Sequence, residues 1–186
     1  MVQDRKTRMA LSRDVRTASG APLLLAMLAV GVASLAPSCS DFGGLLPPDL
    51  PLEELLAVAD TVRFHGSTFT LQADLWRDFM PGPDRPPEGR PLIGVIFVTA
   101  TDSSALDAGL NADAIWLINV DKVWRSWLSH EAVPEDLLRQ NRLVRYLRGG
   151  PTWGPSIAVE VVVRLVHADG TSAYLRAGEQ WIWSTE

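Results

Sequence analysis

The chain of 186 residues carries 17 Lys and Arg against 22 Asp and Glu, for a net charge of −5, and it contains one cysteine. That balance provides no basic stripe for nucleic-acid phosphates, and a single cysteine excludes an intrachain disulfide framework. The length suits one domain with a hydrophobic core, preceded by a leader.

Residues 1–20 form a polar leader bearing Arg5, Lys6, Arg8, Arg13 and Arg16 against Asp4 and Asp14. Met9 is an alternative start that keeps Arg13 and Arg16 ahead of the apolar run. Residues 21–39 read APLLLAMLAVGVASLAPSC, an uncharged apolar stretch that ends in small residues and the cysteine. It is shorter than the ~20 apolar residues that span a bilayer and contains Gly31, which favours an export signal over a retained helix. A secretory cut after Ala36 is the other alternative.

The stretch resembles the bacterial lipoprotein signal, whose lipobox is cut just before a cysteine that carries acyl chains. The matching residues are Leu35 or Ala36, then Pro37, Ser38 and Cys39. The resemblance implies cleavage after residue 38, lipidation of Cys39 and anchoring to a membrane of the bacterial cell envelope. Ser40 in place of Asp after the cysteine resembles the outer-membrane default, on the periplasmic or surface face. Each buried CH₂ of an acyl chain contributes about 0.8 kcal/mol, so several chains anchor stably where one does not. The leader holds five basic and two acidic residues, so the chain from Cys39 onward has a net charge of about −8.

Residues 39–51 read as a tether, with Gly43–Gly44 flexible and Pro47, Pro48 and Pro51 extended. Residues 52–186 are expected to form a single β domain. Leu52, Leu55, Leu56 and Ala59 recur at helical spacing, with Glu53 and Glu54 where the helix dipole favours anions, which predicts a short helix over 52–60 plugging one end of the domain. From Thr61 the period becomes two. Strands are predicted over 67–77, 92–100, 114–120, 122–128, 141–147, 156–167, 171–176 and 180–183. The run 92–100 (LIGVIFVTA) is apolar enough to be covered on both faces. Asn119-Val120-Asp121 and Asp169-Gly170 mark hairpins, the second a type I′ turn. Residues 80–91 and 149–155, rich in Pro and Gly, break the chain.

About seven strands separated by turn signals predict a mainly β fold, an immunoglobulin-like Greek-key β-sandwich with a short N-terminal helix. The likeness to immunoglobulin and fibronectin domains is one of architecture only. A small β-barrel with the helix as a plug is the alternative.

Chemistry-bearing motifs are sparse. His65, His130 and His167 fall on a strand entry, a loop and a strand end without ligand-type spacing, so no metal or cofactor is expected. Ser156 in GPSIA lacks the second glycine of a nucleophile elbow. Glu135/Asp136 and Asp74/Asp78 do not read as a glycosidase pair. No catalytic residue is assigned, and an enzyme is not expected unless the fold assembles a site that no linear motif shows. Seven tryptophans stand out. Trp116, Trp124 and Trp153 fit core or cap positions, whereas Trp76, Trp153 and Trp181 are the candidates for a ligand-binding cluster, since tryptophan offers sugars and proteins a rigid apolar face with one donor. Arg77, Arg85, Arg90, Arg142, Arg145 and Arg148 read equally as its rim or as solubilising edge charges. The expected role is a lipid-anchored, non-catalytic binding or envelope-assembly module with an envelope protein or carbohydrate as partner and no nucleic acid.

Overall fold

The alternating segments become eight strands in the computed structural model, which describes residues 46–80, 86 and 88–185. The leader, Cys39, the first part of the tether and Arg85 lie outside the described residues. A short helix α1 (Leu52–Leu56) precedes β1 (Thr61–Phe64), β2 (Ser67–Asp78), β3 (Ile93–Ala100), β4 (Leu110–Asn119), β5 (Lys122–Trp127), β6 (Arg142–Leu147), β7 (Ile157–His167) and β8 (Ser172–Thr185). One 3₁₀ turn, Glu135–Leu137, lies between β5 and β6. The fold is mainly β with a short N-terminal helix, as the periodicity predicts.

The strands form one curled sheet in the order β5-β4-β7-β8-β2-β3-β6, a half-barrel compatible with a sandwich or a small barrel. Neighbours are antiparallel except β2 and β8. β2 shares one of its edges between two partners. Its first residues pair with β1 (Thr61↔Thr70 to Phe64↔Ser67) and its last with β8 (Leu75↔Ile182 to Asp78↔Thr185). In the gap between those partners the Ala73 N–H donates to the Gln180 side-chain oxygen at 2.9 Å, so the buried backbone donor is satisfied.

Two irregularities let the sheet curl. In β4 the register shifts between Ala112 and Ala114, and in β8 Gly178-Glu179 face the single residue Glu160. Each bulge adds a residue to one strand, bends it and reverses which side chains face inward. The sequence reading of two strands over 171–176 and 180–183 is therefore corrected to one bent strand: Leu175 faces inward before the bulge and Ile182 after it.

The inner face of the curl holds the main core, where Leu75, Ile96, Val98, Ile115, Leu117, Val161, Val163 and Leu165 pack. The outer face carries two smaller clusters. Over β4 and β7, Leu55 of α1 and Leu50 cover Trp116 and Val162. Over β3 and β6, Val133 and Leu137 cover Phe97, Val144 and Tyr146. β3 is thus covered on both faces, as its composition requires. The helix does not plug an end of the barrel; it lies on the outer face. It stops at Leu56, and beyond it the Val58 and Ala59 carbonyls accept bonds from Arg176, at 2.9 and 3.0 Å. The last residues of the expected tether are docked as well, with the Trp116 Nε1–H donating to the Pro48 carbonyl at 3.3 Å and Asp49 paired with Arg125.

The ends of the sheet approach each other where Ser129, just past β5, bridges Tyr146 of β6. Beside this bridge Arg148 lies 5.4 Å over the Tyr146 ring and donates from Nε and Nη2, one edge of its guanidinium, to the two carboxylate oxygens of Glu131. Hydrogen bonds from Arg148 and then Ser129 hold the Glu131 carboxyl well below the usual range, at about 2.

Arg77 is the one buried charged side chain among the described residues, 2% exposed. Its guanidinium donates to the carbonyls of Arg90 (3.1 Å), Thr152 (3.0 Å), Gly154 (2.9 Å) and Glu88, and stacks 4.9 Å from the Phe79 ring centre. Burial lowers its pKa, and Glu88 opposes that shift. The sequence reading made Arg77 a binding-rim residue or a solubilising edge charge; it is instead an internal clamp on the two Pro/Gly segments. Those segments cannot form ladders of their own, so a cation with a five-donor fork satisfies their carbonyls.

Arg77→Met is expected to lose at least about 3 kcal/mol in urea unfolding, because several carbonyls lose their donor; a loss below about 1 kcal/mol contradicts the clamp. Glu131 titrates low in the folded state, so its contribution is complete above the ordinary carboxylate range and fades as pH falls towards 2. Glu131→Gln should lower stability at neutral pH and flatten the acid limb, so that variant and wild type converge as pH falls towards 2.

Candidate functional site

Two hairpin tips supply the chemistry. β1 turns into β2 through His65-Gly66, both at positive φ (46° and 85°), the backbone of a two-residue type I′ turn. A histidine tolerates that region better than a branched residue, and Gly66 occupies it freely. β7 turns into β8 through Ala168-Asp169-Gly170, closed by the His167 N–H donating to the Thr171 carbonyl at 3.0 Å. Of these residues Gly170 alone has positive φ, 88°. The tip expected as type I′ is therefore a three-residue loop ending in a left-handed glycine.

The two tips lie side by side. The His65 and His167 rings stack with centres 3.7 Å apart and planes 21° from parallel. His65 Nε2 is 2.8 Å from Thr171 Oγ1 and 3.5 Å from Asp169 Oδ2. His167 Nδ1 is 3.1 Å from Asp169 Oδ1, and its Nε2 is 3.1 Å from Asp107 Oδ1. Asp169 also accepts from the Thr171 hydroxyl (2.7 Å) and N–H (2.9 Å), and Asp107 accepts from the Gly109 N–H (2.7 Å). Spacing in the sequence gives these histidines no convergence; adjacent hairpins give it to two of the three. His130 stands apart, its ring 3.4 Å from Asn111 Nδ2.

The electrostatics follow from these contacts. Burial works against the His167 imidazolium, but hydrogen bonds to Asp107 and Asp169 outweigh it and raise its pKa. Asp169 is held low by the Thr171 hydroxyl and N–H and by His167, and Asp107 by the Gly109 N–H and then His167. His130 is lowered by burial and by the nearby Arg145.

The tryptophans divide between faces. Trp116 is fully buried under α1, and Trp124 and Trp153 pack against the inner core. Trp76 packs with the outer cluster around Phe97 and Tyr146. Trp181 and Trp183 are 48% and 62% exposed, with ring centres 6.2 Å apart and planes tilted by 30°. Of Trp76, Trp153 and Trp181, then, Trp153 belongs to the inner core and the other two to the outer side of the sheet. Trp183 is the exposed neighbour of Trp181, and its register with Trp76 puts the two strands' aromatics side by side. Among the rim arginines, Arg145 donates to Asn111 Oδ1 at 2.6 and 2.8 Å, Arg142 lies 5.1 Å over Phe97 and Arg90 is 3.6 Å from Asp78.

Sequence reasoning missed Asp107, Asp169 and Thr171 as partners of the histidines. The available signal was His65-Gly66: read as a two-residue turn, it places a histidine at one tip, while His167 precedes the other. Comparison with protein-family models, with curated proteins and with solved structures gives no match to this chain.

Proposed function

We propose that the chain is a lipid-anchored, non-catalytic module of the bacterial cell envelope that binds an envelope protein through the Trp181–Trp183 face. The observation carrying this reading is the pair of neighbouring tryptophans left open on β8. Burial of large aromatics drives interface energetics, and an exposed aromatic pair bordered by polar residues has the composition of a binding hot spot. The anchor is read from the lipoprotein-like signal ending at Cys39, with Ser40 favouring the outer membrane. No helix among the described residues is long and apolar enough to cross a membrane. The ordered β domain would then work as a module displayed from the acyl chains.

One observation favours a second reading, carbohydrate. Strand alternation sets Gln72 and Asp74 on the same face of β2 as Trp76, and the Gln72 amide donates to Asp74 at 3.1 Å. Donors and acceptors beside an indole platform are the groups that a sugar engages.

A Trp181→Ala/Trp183→Ala variant should fold with a stability loss below about 1 kcal/mol, since both rings are largely exposed. In cells, cross-linking through a photoreactive residue placed at Thr185 should join the wild-type protein to a defined envelope protein, and the double variant should lose that adduct. Fluorescence quenching by soluble peptidoglycan fragments, absent in the double variant, would replace the protein reading with the carbohydrate one. Identical behaviour of wild type and variant in both assays overturns the assignment of this face.

A further inference from the structure

We propose that the paired hairpin tips bind a divalent transition-metal ion through His65 Nε2, His167 Nδ1 and the Asp169 carboxylate. These three residues each offer a ligand atom, and those atoms lie within 4.8 Å of one another. Tetrahedral coordination at bond lengths of about 2.0–2.2 Å sets ligand atoms about 3.3 Å apart. Asp169 already lies 3.1 Å from His167 Nδ1 and 3.5 Å from His65 Nε2, and the stacked rings, 3.7 Å apart and 21° from parallel, swing apart so that one ion lies in both ring planes.

The surroundings assign the His167 nitrogen. Nε2 faces Asp107 at 3.1 Å, and Asp107 is itself fixed by the Gly109 N–H at 2.7 Å. A histidine ligand that donates its second N–H to a carboxylate is oriented and made more basic, the usual support behind a metal-binding imidazole. With the proton on Nε2, the Nδ1 lone pair accepts the Asp169 N–H at 3.3 Å, a long bond that the ion would displace, and faces the Asp169 carboxylate at 3.1 Å. The space around that support is tight as well: a Cβ added at Gly109 would lie 2.7 Å from His167 Nε2.

Ligand type selects the ion. Two imidazoles and one carboxylate suit zinc, copper or nickel, whereas calcium and magnesium require more oxygens than these tips provide. Three protein ligands leave a fourth position, and the His65 and His167 side chains, 27% and 15% exposed, leave the site open to solvent. Binding displaces the Nε2 proton of His65, which now points to Thr171 Oγ1, and moves the imidazole to its other tautomer.

The test is calorimetric titration of zinc ions into the full chain after treatment with a chelator, beside thermal unfolding and imidazole ¹⁵N shifts. One ion per chain is expected, with a melting temperature that rises as zinc is added and continues to rise with the logarithm of free zinc beyond one equivalent. The shifts should place zinc on Nε2 of His65 and Nδ1 of His167. His65→Asn keeps a residue that accepts positive φ and should weaken binding at least about tenfold without unfolding the turn. Asp107→Asn should weaken it about 10–100-fold, through orientation of His167. His130→Ala should change nothing. No saturable binding, or binding that His65→Asn leaves intact, overturns the proposal and leaves the cluster as a metal-free set of hydrogen bonds joining two hairpins.

Discussion

A single buried guanidinium decides whether this sheet can close over its irregular segments. β2 is the strand on which the others converge, pairing with β1, β3 and β8, and Arg77 sits near its end where the Pro/Gly segments on either side of it would otherwise leave carbonyls without donors. Hydrogen bonding to several carbonyls compensates the desolvation of a buried cation, and removing the donor leaves the full penalty with the acceptors. The same bonds fix the approach of residues 149–155 to β8, because Ser156 then donates its N–H to the Ile182 carbonyl at 2.8 Å. Downstream of that contact β8 carries its outward tryptophans. Packing, polar satisfaction and the exposed aromatic pair therefore rest on one side chain.

The second organising device is the bulge at Gly178-Glu179. Without the extra residue, inward alternation starting at Leu175 would continue through Trp181 and Trp183, and both indoles would have to enter a core already filled. The bulge turns Ile182 inward and both tryptophans outward. Glu179 takes positive φ, 53°, to make it possible, and the Glu160–Arg176 pair at 2.9 Å spans the same place. The outward-facing pair is thus built into the strand, and its openness is the physical ground for reading that face as a binding surface.

Much of the fold was legible in the residues. Alternation in 156–167 puts Ile157, Val159, Val161, Val163 and Leu165 on one face, of which the last four are buried in the core and Ile157 packs against it, and the continuous apolar run of β3 announced a strand covered twice. What stayed hidden depended on long-range geometry. β1 is four residues long and too brief to show a period, so only the His65-Gly66 pair signalled that hairpin, and the meeting of His65 and His167 depended on it. The bulges reverse alternation midway and made one strand read as two. Arg77 looked like an outward edge charge because nothing in its neighbours' identity shows that carbonyls from residues 88–90 and 152–154 converge on it. Trp153, which the sequence fitted both to a core position and to the ligand-binding cluster, packs against the core, since its loop is clamped against the sheet.

The histidine tips and the tryptophan face carry different chemistry, one suited to an ion and the other to a macromolecular surface, and both follow from how hairpins and bulges present side chains. In the proposed function what unites them is where the domain is held, and that proposal rests on Cys39. Intact-mass measurement of the protein from its native membrane fraction, beside a Cys39→Ala variant, is the most direct test. The lipid-anchored reading predicts a wild-type chain that begins at Cys39 with added acyl mass and a variant that lacks it. An unmodified chain beginning at another residue, or one that retains the whole leader, contradicts it.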